Sequence, residues 1–219
     1  MVKKERKPPV YHPLEERLNV LTHGFGLLLS IGALIALVLK GSYFTGYRTL
    51  FSFTVFGASL ILLYAASTFY HNAKSTRWRY ILNIVDHAAI YVLIAGTYTP
   101  FALLTLRSHG GTFIFILIWG IALLGIVLKL FFIGRFNILS TILYVAMGWI
   151  VIFYIKPLLM VFPTWGIIWL FAGGFFYTTG AIIYALENVK FNHAKFHFFV
   201  LAGSFCHFIS IFYFVLPEV

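Results

Sequence analysis

The sequence predicts an all-α integral membrane protein built as a seven-helix bundle. Three observations predict it. Hydrophobic residues make up 61% of the 219 residues while charged residues make up only 10%, against about 25% charged in a typical soluble domain. The apolar residues fall in runs long enough to cross ~30 Å of hydrocarbon. The segments between those runs are too short to carry a second domain. Burying so much apolar side chain in an aqueous fold would leave too little polar surface to cover it, so the solvent for this chain is lipid.

Taken in order, residues 1–17 are basic and proline-punctuated and read as a cytoplasmic tail, ending in a short headgroup-level helix around Glu15, Glu16 and Arg17. Residues 18–219 then read as one transmembrane domain, with helices expected at about 18–39, 49–70, 81–106, 112–132, 138–160, 165–186 and 196–216. The breaks are Gly41-Ser42 with Gly46, the stretch 72–79, Ser108-His109-Gly110-Gly111, Gly134-Arg135, Pro157 with Pro163, and the stretch 187–192. The fifth span is expected to stop early, near Pro157, because proline removes a helix hydrogen bond. The single cysteine, Cys206, excludes an intramolecular disulfide and sits in an apolar run as packing.

Orientation follows from lysine and arginine in alternate loops. One side holds Lys3, Lys4, Arg6, Lys7, Arg17, Lys74, Arg77, Arg79, Lys129, Arg135, Lys190 and Lys195; the other holds only Lys40, Arg48, Arg107 and Lys156. Twelve against four puts the N-terminus in the cytoplasm and, after seven spans, the C-terminus outside. The net charge of +10 is therefore a topology signal and a contact to anionic headgroups. It is scattered over short loops rather than gathered in a patch, so no nucleic-acid partner is expected.

Ionisable groups inside spans are costly and mark function by default. Of the six acids, only Asp86 lies within an apolar segment, followed directly by His87. His71 closes the second span, with Ser67 one turn before it on the same face. His193 and His197 open the seventh, spaced so that both imidazoles share one helix face. By the topology above, His71, Asp86, His193 and His197 all lie at the inner leaflet. Three neutral imidazoles with an open fourth position are the ligand set of a catalytic zinc, and a nearby carboxylate can hold the water. Magnesium or calcium would demand more oxygen ligands. His12 and His109 read as headgroup or capping residues. His23 and His87 line the cavity or hydrogen-bond across helices, and His207, deeper on the His193 face, packs or contacts substrate.

These residues also carry a resemblance. The run Ser67-Thr68-Phe69-Tyr70-His71, then Asp86-His87-Ala88-Ala89-Ile90-Tyr91 continuing to Ala95-Gly96-Thr97-Tyr98-Thr99-Pro100-Phe101, then His197-Phe198-Phe199-Val200-Leu201-Ala202-Gly203-Ser204 with Cys206-His207-Phe208, resembles the bacterial hemolysin III family. That family is the prokaryotic branch of the progestin and adipoQ receptor group, which includes the adiponectin receptors. The likeness extends over the chain beyond the tail, including Glu16 and the Asn19…Thr22-His23 pattern. One departure is Phe196, where many relatives have tryptophan.

The resemblance implies seven helices with the N-terminus inside and a zinc near the cytoplasmic face. It implies His71, His193 and His197 as ligands, Asp86 holding the water at the metal, and Ser67 close by. Glu16, His23, His87 and His207 then belong to the second shell or the cavity. The receptor relatives look like ceramidases. The expected function is accordingly zinc-dependent hydrolysis of a lipid amide or ester in the plasma membrane, serving lipid homeostasis, with membrane lipids and a lipid-like substrate as partners. The alternatives are a lipid sensor with structural zinc and a cytolytic pore-former, which the family's name suggests.

Overall fold

The computed structural model describes residues 9–44, 46–132, 137–186 and 188–216. The Gly134-Arg135 break, Glu187 and the tail residues Lys3, Lys4, Arg6 and Lys7 lie outside them. Among the described residues every regular element is helical, and seven helices are long and apolar enough to cross a membrane.

Helix α1 runs over Pro13–Ser42, starting earlier than the apolar run. The reason is local. His12 caps it, its Nδ1 accepting from the Leu14 amide at 3.3 Å, Pro13 supplies a preset first φ, and Glu15 and Glu16 offset the helix dipole. The tail is thus helical rod from Pro13 onward. Polarity in this rod is reversed relative to a soluble helix. Leu21, Leu28 and Ile35, seven apart, face outward, while Asn19, His23 and Ser30 are buried. That pattern is stable only where the outside is hydrocarbon.

Helices α2 (Tyr47–Asn72) and α3 (Thr76–Pro100) follow as antiparallel neighbours. Pro100 has no amide to donate, and the next turn, Phe101–Thr105, widens to a π-turn closed by Leu106 N to Phe101 O at 2.8 Å. The chain then reverses through Gly110 at φ 81°. Gly111 must lack a side chain, because a Cβ there would stand 1.9 Å from the Ala102 carbonyl oxygen. Helix α4 (Gly111–Phe132) returns along α3.

The fifth span is broken, but not at Pro157. Helix α5 (Asn137–Gly148) passes into a 3₁₀ segment over Trp149–Tyr154 and resumes as α6 (Ile155–Val161). Pro157 lies in the first turn of α6, where its missing amide had no partner to lose. The break is held from α3. The Tyr98 hydroxyl donates to Gly148 O at 2.7 Å and accepts from Val151 N at 2.8 Å, satisfying backbone that lipid could not.

Helices α7 (Thr164–Ala185) and α8 (Asn192–Phe214) close the bundle, with α8 packed on α7 and α1. Between them the Asn192 amide donates to Tyr184 O and Leu186 O. Phe191 takes a left-handed turn, φ 56°, immediately before the α8 start. At the far end of α8 the Lys40 ammonium donates to the Phe212 carbonyl, where a cation complements the helix dipole.

Candidate metal centre

The end of α2 and the start of α8 meet at one end of the bundle, where α1 and α3 also begin. There His71, His193 and His197 are buried together, with one ring nitrogen from each inside a 4.8 Å group that could hold a metal ion. The sequence spacing explains two of the three. His193 and His197 stand one turn apart in α8, and their ring centroids are 4.5 Å apart.

The protonation pattern decides which nitrogens are available. His71 Nδ1 lies 2.6 Å from Glu16 Oε2, so this nitrogen carries the proton and donates it. Arg79 clamps the other Glu16 oxygen, fixing the carboxylate as an acceptor. His193 Nδ1 lies 3.3 Å from the Tyr11 hydroxyl, whose ring also stacks on the imidazole at 4.6 Å and 29°. Burial pushes the Tyr11 phenol well above its ordinary pKa, so it remains a neutral partner. With the His71 proton on Nδ1, its Nε2 lone pair faces His193 Nε2 at 3.1 Å, a hydrogen bond when His193 holds its proton on Nε2 and accepts from Tyr11 at Nδ1. Moving the His193 proton to Nδ1, where it donates to the Tyr11 oxygen, frees both Nε2 atoms as metal ligands. The donor set therefore fits a borderline metal such as zinc, and the Glu16–His71 pair is the carboxylate–histidine arrangement that orients such ligands. Glu16→Gln keeps the shape and removes the charge; it should weaken metal affinity by about 10–100-fold, read by competition with a chelating indicator.

The remaining candidates take distinct places. Asp86 is buried on α3, its Oδ2 3.8 Å from His87 Nδ1, and faces the cavity that His193 and His197 also line. Ser67 is fully buried and faces Asp86, yet its hydroxyl has no hydrogen bond of normal geometry among the described residues. His87 donates from Nδ1 to the Asn83 carbonyl at 2.9 Å and is not among the clustered imidazoles. His23 stacks face to face on His197 at 3.6 Å, with neither nitrogen partnered among the described residues. His207 lines the cavity, and its Nε2 donates to Leu170 O at 3.1 Å. It packs so close to Gly173 that a Cβ there would meet the ring at 2.1 Å.

The cavity itself is about 170 Å³, far more than the ~10–15 Å³ a single water needs. Its walls are chiefly apolar and run from His193 and Asp86 to Tyr154 and Leu158 at the other end of the bundle. From Asp86 to Leu106, along α3 and the π-turn that follows it, that is roughly 30 Å at about 1.5 Å per residue. A polar pocket thus sits at the mouth of a long apolar one.

The family profile for haemolysin-III related proteins matches residues 11–208. The chain belongs to that family. Haemolysin-III relatives span nearly its whole length. It is 44% identical over 200 residues to a protein named hemolysin-3 homolog from Bacillus subtilis, covering 91% of this chain and 94% of that one. It is 45% identical over 203 residues to hemolysin-3 of Bacillus cereus, covering 93% of each. The human monocyte to macrophage differentiation factor is 26% identical over 218 residues, covering 94% of this chain and 85% of that one. No solved structure matches the chain. This haemolysin-III related protein is a multi-pass membrane protein.

Several residues of the site escape sequence reasoning. Tyr11, Glu15 and Arg79 read as tail and loop. Glu15 accepts the His193 backbone amide at 3.2 Å across 178 residues, a contact with no local signal. Glu16 was legible only through the family resemblance.

Proposed function

We propose that this protein is a zinc-dependent intramembrane hydrolase of a lipid amide or ester, acting at the cytoplasmic leaflet in membrane lipid homeostasis. One observation carries the proposal: three buried imidazoles, grouped closely enough to hold a metal ion, open beside a buried carboxylate onto a long apolar cavity. A lipid needs an apolar slot for its chain and polar groups for its head, and a metal-ligand group beside a carboxylate at the mouth of that slot suits hydrolysis of the lipid. The charge asymmetry of the loops supports the cytoplasmic placement of the site.

Zinc bound by His71, His193 and His197 supplies Lewis-acid activation of water and of a carbonyl. The chain's own residues supply the rest. Asp86, buried and facing the site, accepts a proton from the attacking water and returns it to the leaving nitrogen or oxygen. The buried Ser67 hydroxyl, which faces Asp86, donates to the oxyanion that develops on the carbonyl. Glu16 and Tyr11 hold the two imidazoles in the tautomer that leaves Nε2 free. Apolar walls keep bulk water from the chain.

The test is a panel of lipid amides and esters offered to purified protein in neutral detergent. The expected result is turnover of at least one amide or ester, abolished by a strong chelator and restored by zinc. Zinc-replete protein that turns over none would favour the sensor reading. The printed names of the Bacillus relatives favour a second reading, lysis of membranes; dye release from vesicles by the same preparation would carry that one instead.

A further inference from the structure

Helix α4 turns one stripe inward, Gly111, Ile114, Ile118, Ala122, Gly125 and then Lys129. Five small or apolar residues pack against the bundle at helical spacing, and the sixth is a cation. Lys129 is 3% exposed, lines the same cavity as Asp86 and His87, and its ammonium has no hydrogen-bond or ion-pair partner among the described residues. The nearest aromatic face is the Tyr144 ring, with the ammonium 6.0 Å from its centroid. The Tyr144 hydroxyl is already donated to the His87 carbonyl, at 3.0 Å, so this ring adds no anion. Ser140 also lines this cavity.

A lysine near the end of a span ordinarily extends along the lipid-facing surface to the headgroups. This one points the other way. Holding an ammonium in an apolar bundle without a counter-ion is costly, and the cost has a purpose if an anion completes the site. We propose that Lys129 is an anion receptor in the cavity, selecting lipids whose headgroup carries an oxyanion, a phosphate or a carboxylate. The apolar length of the cavity takes the acyl chain, and the ammonium takes the charge. Lys129 thus sets headgroup preference from the α4 wall, separately from the histidines contributed by α2 and α8.

The test uses full-length protein treated with chelator, so that a metal at the histidines contributes nothing and the outcome does not depend on hydrolysis. Lipids with brominated acyl chains quench Trp149, which lines the cavity; Trp149→Phe gives the background. Phosphatidic acid is compared with diacylglycerol of the same chains, and stearate with its methyl ester. The expected result is tighter binding of an anionic member by about tenfold or more in wild type, lost in Lys129→Met and kept in Lys129→Arg. Preference within the first pair assigns the phosphate, and within the second the carboxylate. Equal binding within both pairs, or a preference surviving in Lys129→Met, overturns the proposal. Lys129→Met should fold, since it replaces a buried unpaired charge by an apolar chain of similar length.

Discussion

His193→Ala and His71→Ala are each expected to purify with less than about a tenth of the metal that wild type carries, against about one zinc per chain in unchelated wild type. Each variant removes one of three nitrogens brought within 4.8 Å. Neither His23, which stacks on His197, nor His87 belongs to the clustered group that would have to replace it. Loss of a second-shell partner alone costs 10–100-fold in affinity, and loss of a ligand costs more. Elemental analysis of the three proteins side by side reads the result. Helical content should be unchanged, because the spans are held by packing elsewhere. Wild type without stoichiometric metal, from a preparation never exposed to chelator, would remove the centre and return the histidines to polar packing.

Asp86→Asn should do the converse, keeping the metal and losing turnover by about 10²–10⁴-fold. The substitution preserves shape and hydrogen-bonding reach but cannot take up a proton. Asp86 is outside the clustered imidazoles, so metal content should stay at the wild-type level. Ser67→Ala serves as the graded companion. It deletes a buried hydroxyl that faces Asp86, and so should lower turnover with at most a small loss of stability. Full turnover in zinc-verified Asp86→Asn would overturn the base assignment.

The seven spans were legible because lipid imposes a length and an apolar composition that any membrane helix must meet. His71, Asp86, His193 and His197 were legible as a group because polar residues inside such spans are few, and topology sorts them by depth. Other parts were not. The start of α1 depends on the His12 cap and on Glu15 and Glu16, which hydropathy reads as loop. The break in the fifth span falls at Trp149–Tyr154, which carries no proline or glycine, and it exists because Tyr98 on another helix satisfies the opened backbone. Tyr11 meets His193 across 182 residues, and no local pattern announces such a contact. Lys129 was counted as one more positive charge on the inner side, since its inward direction follows from the buried stripe of α4.

Helix α1 touches both ends of α8. Near its start, Glu15 receives the His193 amide; near its finish, Lys40 reaches the Phe212 carbonyl. Two anchors at opposite ends of one rod act as a ruler. A slip of α8 by one residue would shift it 1.5 Å and turn it by ~100°, breaking both anchors at once. In a thinner or thicker bilayer this pair therefore tilts as a unit instead of shearing, and the depth of the histidines is set by the protein rather than by the lipid around it.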